Sequence, residues 1–231
     1  MTTVFIISAP SGSGKSTLVN ELRSHVPGLK FSVSYTTRAP RGSEQNGREY
    51  YFVRRSEFEA MIGRDEFLEY AAVFGNDYYG TARCFLREAE KDGSDLLLDI
   101  DVQGAAQIKT KIPGAVSIFV LPPNRQTLES RLRKRGEDSP VVIERRLDTA
   151  RREIENYDKY DYILVNDRLE ESADRLEAIV LSERARRSGR PLSSEDQAGL
   201  AVAEQCRLAN MRDRVQPILD SFREGKGYGQ H

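Results

Sequence analysis

The chain has 231 residues, 39% hydrophobic and 31% charged, with a formal net charge of −1 and a mean hydropathy of −0.57; this accommodates one α/β domain with insertions and gives no bulk attraction for nucleic acid. The apolar runs are strand-length, so no membrane partner is expected. The N-terminus lacks a basic region and a long apolar core, and Cys84 and Cys206 stand apart from any Cys or His cluster, so a cytoplasmic setting is expected and a thiolate metal site is not.

Val4-Phe5-Ile6-Ile7 reads as a buried strand. Leu18, Val19, Leu22 and Val26 fall three and four apart, as on one face of a helix that Pro27-Gly28 stops. Between them lies Ala9-Pro10-Ser11-Gly12-Ser13-Gly14-Lys15-Ser16-Thr17. Strand, glycine-rich turn, Lys-Ser/Thr and helix is the arrangement of a phosphate-binding loop. Small residues let successive backbone N–H groups converge on a phosphate, and the new helix points its positive end there. Lys15 is placed to reach β- and γ-phosphates and Ser16 to ligate magnesium. The competing reading is a strand-to-helix turn that merely contains Gly and Lys. The G-x-x-x-x-G-K-[ST] pattern asks for Gly at position 9, where this chain has Ala9, a residue that takes positive φ less cheaply.

Leu29 to Tyr35 alternates apolar and polar residues and predicts a half-exposed strand. A loop punctuated by Pro40 and Gly42 follows, with Arg38 and Arg41 three apart. Asn46-Gly47 marks a turn before the aromatic strand Tyr50-Tyr51-Phe52-Val53. Two guanidiniums near a tyrosine hydroxyl suit a second phosphate, although paired loop arginines also occur as plain solvated surface. Ser56 is the expected cap of a short helix carrying Phe58, Met61 and Ile62. Glu69 lies among apolar and aromatic residues and must be partnered or shifted in pKa. Gly75 to Thr81 reads as a glycine-bounded aromatic loop.

Residues 82–92 predict a helix ended by Gly93. Leu96 to Asp101 reads as a buried strand with Asp99 and Asp101 at its carboxyl end, where α/β sheets place ligands. Those acids fit a magnesium-organising element or, alternatively, caps of the next helix. Val116 to Leu121 is a further buried strand. Asn124 is set to cap a helix bearing Leu128 and Leu132 that Gly136 ends, and Ser139-Pro140 to start another with Ile143, Leu147, Ala150 and Ile154. Nine Lys/Arg fall between Arg125 and Arg152, as on a solvated helix face or on a cationic lid over triphosphate. Asp161 to Asp167 is the last strand, and 170–187 the last clear helix, broken at Ser188 to Pro191. Leu208, Met211, Val215, Ile218, Leu219 and Phe222 keep helical spacing, with Pro217 expected to kink or end that helix. This face would be buried in its own core or against another subunit, which leaves a homo-oligomer open; Gly225 to His231 is expected to fray.

Across residues 4–187 the chain resembles the bacterial guanylate kinases. The resemblance rests on Ser8 to Thr17, SVSYTTRAPRGSEQNGREYYF (Ser32 to Phe52), FLEYAAVFGNDYYGT (Phe67 to Thr81), LLLDIDVQG (Leu96 to Gly104), RLRKRG (Arg131 to Gly136) and ILVND (Ile163 to Asp167). It implies an α/β P-loop NTPase three-layer fold with a parallel core sheet, a small mixed GMP-binding insertion and a helical lid. The implied core is 1–33 and 82–122 with 157–187, the insertion 34–81, the lid 123–156, and 188–231 a helical extension of unassigned role. By similarity Arg38, Arg41, Tyr50 and Tyr79 hold the GMP phosphate, Glu69 accepts the guanine N1–H and N2–H, and Ser34 and Thr81 donate near O6. Asp99 and Asp101 join the guanine-side and magnesium network, Asp99 through water. Ala9 to Thr17 bind ATP with Asn166 near the adenine, and Arg131, Arg135 and Arg146 bind its phosphates. With Lys15 and Arg41, these lid arginines carry the implied catalysis. The implied activity is magnesium-dependent transfer of the ATP γ-phosphoryl group to GMP, with dGMP use left open. Two alternatives remain: a kinase of another small phosphorylated acceptor, and a non-catalytic protein-binding module of the same fold.

Overall fold

The computed structural model describes residues 2–73, 77–134 and 139–224. Its strands are β1 (Val4–Ser8), β2 (Leu29–Ser32), β3 (Tyr35–Thr36), β4 (Tyr51–Phe52), β5 (Phe67–Val73), β6 (Asp77–Ala82), β7 (Asp95–Asp99), β8 (Val116–Leu121) and β9 (Tyr162–Val165). Its α-helices are α1 (Lys15–His25), α2 (Arg55–Gly63), α3 (Arg83–Asp92), α4 (Val102–Lys111), α5 (Arg125–Lys134), α6 (Pro140–Ile154), α7 (Leu169–Ser188), α8 (Ser194–Gln205) and α9 (Leu208–Glu224). A parallel five-stranded sheet has the order β2-β7-β1-β8-β9, and a mixed four-stranded sheet the order β4-β3-β6-β5. Strands β1 and β8 are buried at every position, as parallel strands covered on both faces must be.

The chain forms two compact units. One comprises the chain up to Ile6 with Pro27–Val116, the other Ile7–Val26 with the chain from Ser117 onward.

In the first unit, the predicted Leu29 to Tyr35 strand is two strands in two sheets. Strand β2 runs parallel to β7, and β3 joins the small sheet beside β4 and β6. Alternating polarity cannot show that a chain changes sheets, since each half keeps its own buried face. Helix α2 starts earlier than expected: Arg54 is its N-cap with no side-chain cap bond, so Ser56 lies inside it. The expected loop from Gly75 to Thr81 is mostly strand β6, antiparallel to both β3 and β5; Gly75 and Asn76 lie outside the described residues. Gly80 misled because it is a packing residue. A Cβ there would sit 2.9 Å from Phe67 and 3.0 Å from Phe58, whose rings stack at 4.4 Å.

In the second unit, Ser139 caps α6 through the Val142 N–H as predicted, and Asn124 Oδ1 accepts the Thr127 N–H at 2.7 Å; Gly136 lies outside the described residues. Beyond Gly189, which ends α7 at φ 67°, the chain forms α8 and α9. Helix α8 went unpredicted, although Ser193 and Asp196 form a capping box at its start. Helix α9 passes through Pro217 without ending, because Val215, Ile218, Leu219 and Phe222 are buried on either side of it. Helix α9 contacts α5, α6, α8 and β9 of the same unit. Between the two helices the chain adds an edge to β9: the Ile163 N–H donates to Cys206 O at 2.8 Å and the Leu208 N–H to Asp161 O at 3.1 Å. Residues 225–231 lie outside the described residues.

Candidate nucleotide sites

The phosphate-binding loop belongs to the second unit. Gly12 and Gly14 have φ of 94° and 88°, which side chains resist. Space also demands glycine: a Cβ on Gly14 would lie 2.3 Å from Asn166 Nδ2, and one on Gly12 2.9 Å from Leu128 and Leu132. Ala9 has no positive φ, so its departure from the glycine pattern costs nothing here. Lys15 and Ser16 open α1, with the Ser16 side chain exposed.

Three long-range side chains hold this loop. Asn166, 4% exposed at the end of β9, donates from Nδ2 to Ser13 O at 2.7 Å. Arg131 donates from Nη2 to Asn166 O at 2.9 Å and, at a long 3.5 Å, from Nη1 to Ser13 O. Arg146 donates from Nη2 to Ser11 Oγ at 2.7 Å. Burial lowers the Arg131 pKa, partly offset by Asp167, so an anion here would relieve a poorly solvated cation. The buried Ser8 and Ser13 hydroxyls have no partner among the described residues. Arg135 lies outside the described residues.

The second constellation belongs to the first unit. A register shift falls between Phe67 and Glu69 in β5, and Phe67, Leu68 and Glu69 are buried in succession, which departs from the alternation of a sheet with one covered face. Glu69 is 4% exposed and accepts the Thr81 hydroxyl at 2.6 Å. Its pKa is pushed up to about 7, chiefly by burial; the Thr81 hydrogen bond opposes this and Asp101 adds to it. Gly104 makes room for it, since a Cβ there would lie 2.6 Å from Glu69 Oε2. Asp101 caps α4, accepting the Gly104 N–H at 2.8 Å, which was the alternative role for this acid. Asp99 is half-buried at the end of β7.

Arg38, 8% exposed, donates from Nε to Tyr79 OH at 3.0 Å, and its guanidinium lies 5.2 Å from the Tyr50 ring. Tyr50 and Tyr79 meet edge to face at 5.7 Å. Arg41 is exposed, and Ser34 is half-buried beside β3, its carbonyl accepting the Tyr51 N–H at 2.9 Å. The structure thus brings Arg38, Tyr50 and Tyr79 together, and separately Glu69, Thr81 and Asp101. Sequence reasoning missed Gly104 and Glu44. The only signal for Glu44 was an acid three residues beyond Arg41, in a loop that also carries Arg38, Arg48 and Glu49.

A parallel sheet with a phosphate-binding loop between its first strand and helix, carrying arginines on α5 and α6, defines an α/β nucleotide-binding protein of the P-loop class. The guanylate kinase family model matches residues 1–183. A guanylate kinase of Koribacter versatilis is 62% identical over 225 residues, 96% of each chain, and one of Neisseria gonorrhoeae is 51% identical over 185 residues, 80% of this chain and 90% of that one. The crystal structure of guanylate kinase from Anaplasma phagocytophilum superposes with a TM-score of 0.66 at 36% identity, covering 80% of this chain and 86% of that chain. The chain belongs to the guanylate kinase family.

Proposed function

We propose that this chain transfers the γ-phosphoryl group of ATP to GMP, giving ADP and GDP. Family membership supports the reaction, and one observation carries the choice of acceptor: Glu69 is a buried carboxylate that accepts the Thr81 hydroxyl. A guanine base offers it N1–H and N2–H, whereas adenine has no such pair of donors. Rejection then follows from leaving a buried carboxylate unpaired, worth several kcal/mol. Ser34 serves the guanine O6, and Thr81 joins it when its one hydroxyl proton turns from Glu69; Arg38, Arg41, Tyr50 and Tyr79 serve the phosphate, within an acceptor-binding segment 34–81.

The donor is held by Ala9 to Thr17, with Asn166 near the adenine and bracing the loop. Lys15, Arg131, Arg135 and Arg146 stabilise charge on the transferring phosphoryl, the last three from a lid spanning 123–156. A GMP phosphate oxygen is already ionised near neutral pH, so no strong general base is required. The donor set fits magnesium: the Ser16 hydroxyl, exposed at the start of α1, is a hard oxygen ligand. Among the described residues no group of three or more His, Cys, Asp or Glu forms an all-protein cage, as suits an ion bound largely by phosphate and water. When bound, the ion neutralises phosphate charge. Among the described residues no helix is long and apolar enough to cross a membrane.

An ADP-release assay with GMP, AMP and ribose phosphates as acceptors tests the reading. GMP-dependent turnover with AMP near background is expected. Turnover with a ribose phosphate, or with no acceptor at all, would overturn it.

A further inference from the structure

Glu44 has no part in the guanine or phosphate contacts above, yet it is the centre of the Arg38 environment. Its Oε2 accepts from Arg38 Nη1 at 2.9 Å and its Oε1 from Arg38 Nη2 at 3.0 Å. Arg38 also donates from Nη1 to Ala39 O at 2.8 Å and from Nε to Tyr79 OH at 3.0 Å. A guanidinium has five N–H donors in a fixed fork, so these four bonds leave one. The fork is therefore not open to grip a phosphate with two parallel bonds. Glu44 closes the loop as well: its Oε2 accepts the Arg41 backbone N–H at 2.8 Å, and its own N–H donates to Arg41 O at 3.0 Å. Arg41, held at the tip of this closed turn, is exposed.

We propose that Glu44 is a positioning residue for the acceptor phosphate, neutralising buried Arg38, fixing its fork against Tyr79 and closing the turn that presents the Arg41 guanidinium. The phosphate then meets Arg41, the tyrosine hydroxyls and a single Arg38 N–H. This rests on residues 38–50 being the GMP phosphate site. The opposite role, a carboxylate that holds the place of the phosphate and is displaced by it, would require three hydrogen bonds from Glu44 to break at once. It would also leave a buried arginine without its ion-pair partner until the phosphate arrived. Hydrogen bonds from the Arg38 guanidinium hold the Glu44 pKa below the ordinary carboxylate range against the opposing effect of burial, so the pair stays ionised near neutral pH.

The test is steady-state kinetics of full-length Glu44→Gln and Glu44→Asp. Glu44→Gln keeps an acceptor for the Arg41 N–H but loses the charge and one Arg38 bond. The GMP KM should rise about tenfold, the scale of one charge-assisted hydrogen bond. The ATP KM and kcat should stay within about twofold, since acceptor binding is weakened alike in the ground state and the transition state. Glu44→Asp, which keeps the charge, should recover part of the loss. A GMP KM that is unchanged or lower in Glu44→Gln would overturn the proposal in favour of a spectator or a displaced competitor. Equal rises in both KM values, or a large fall in thermal midpoint, would overturn it in favour of a merely structural role. Arg41→Ala in the same assay isolates the underlying reading: if its GMP KM does not change, the phosphate site itself is misassigned, whatever Glu44 does.

Discussion

On the proposed reading, the donor loop and the acceptor constellation bind phosphate-bearing ligands by different physical means. The loop from Ala9 to Thr17 is a backbone device. Its shape comes from Gly12 and Gly14 at positive φ and from Asn166 and Arg131 holding the Ser13 carbonyl. The acceptor side is a side-chain device. It depends on an ionised pair, Arg38 with Glu44, and on a buried carboxylate, Glu69, held near its titration point. A backbone device recognises any polyphosphate and is indifferent to moderate pH. A side-chain device can tell one base from another, but its charges must be in the right state. The donor side should therefore govern the chemical step, and the acceptor side selectivity and pH dependence.

The largest expected effect falls on the donor side. Lys15→Met should lower kcat by about three orders of magnitude, as losing a preorganised charge on the transferring group does, while GMP affinity measured by calorimetry stays close to that of the unaltered chain. Retained turnover would remove Lys15 from the machinery. A collapse of GMP affinity would show that the two sides are not separable as drawn.

Glu69→Gln is the matching cut on the acceptor side and should be smaller. An amide can meet one of the two guanine donors but faces the other with its own N–H. The kcat/KM for GMP should fall roughly a hundredfold, with ATP KM little changed, because a mispaired buried polar group costs about 3 kcal/mol. AMP turnover should not fall with it, so discrimination narrows. If GMP and AMP rates decline in parallel, Glu69 does not read the base.

The same contrast explains what could be read in advance. The donor loop was legible because strand, glycines, Lys15 and helix are contiguous, and local spacing carries their geometry. Its braces were not: Asn166 and Arg131 reach Ser13 from far along the chain, and nothing local announces them. Acceptor residues such as Glu69 and Arg38 were flagged as chemically unusual, but their roles came from resemblance. The register shift that turns Glu69 inward, the sheet change between Ser32 and Tyr35, and the place of Gly80 between Phe58 and Phe67 all depend on long-range packing. Helix α9 was legible from its apolar spacing. Its course through Pro217 was not, because tertiary burial outweighs one missing backbone hydrogen bond.

The smallest effect, and the sharpest separation of the two sides, lies in pH. Burial pushes the Glu69 pKa up to about 7 from an ordinary 4.5, so the free fold favours the neutral acid. Its contribution to stability is fully present below the unfolded value and is lost as pH rises through about 7. On the proposed reading GMP reverses the preference, because two N–H donors on the base would favour the carboxylate. GMP binding should therefore strengthen over the range in which the free protein loses this part of its stability. Between pH 8 and pH 6 the ionised fraction falls from about nine tenths to about one tenth, so the GMP KM should rise roughly tenfold. The GMP phosphate itself titrates near pH 6 and adds a slope of its own. Glu69→Gln isolates the two: it should keep the phosphate component and lack the step near pH 7. If that step persists in Glu69→Gln, it belongs to another group, and the pH sensitivity of the acceptor side is not carried by its guanine-reading carboxylate.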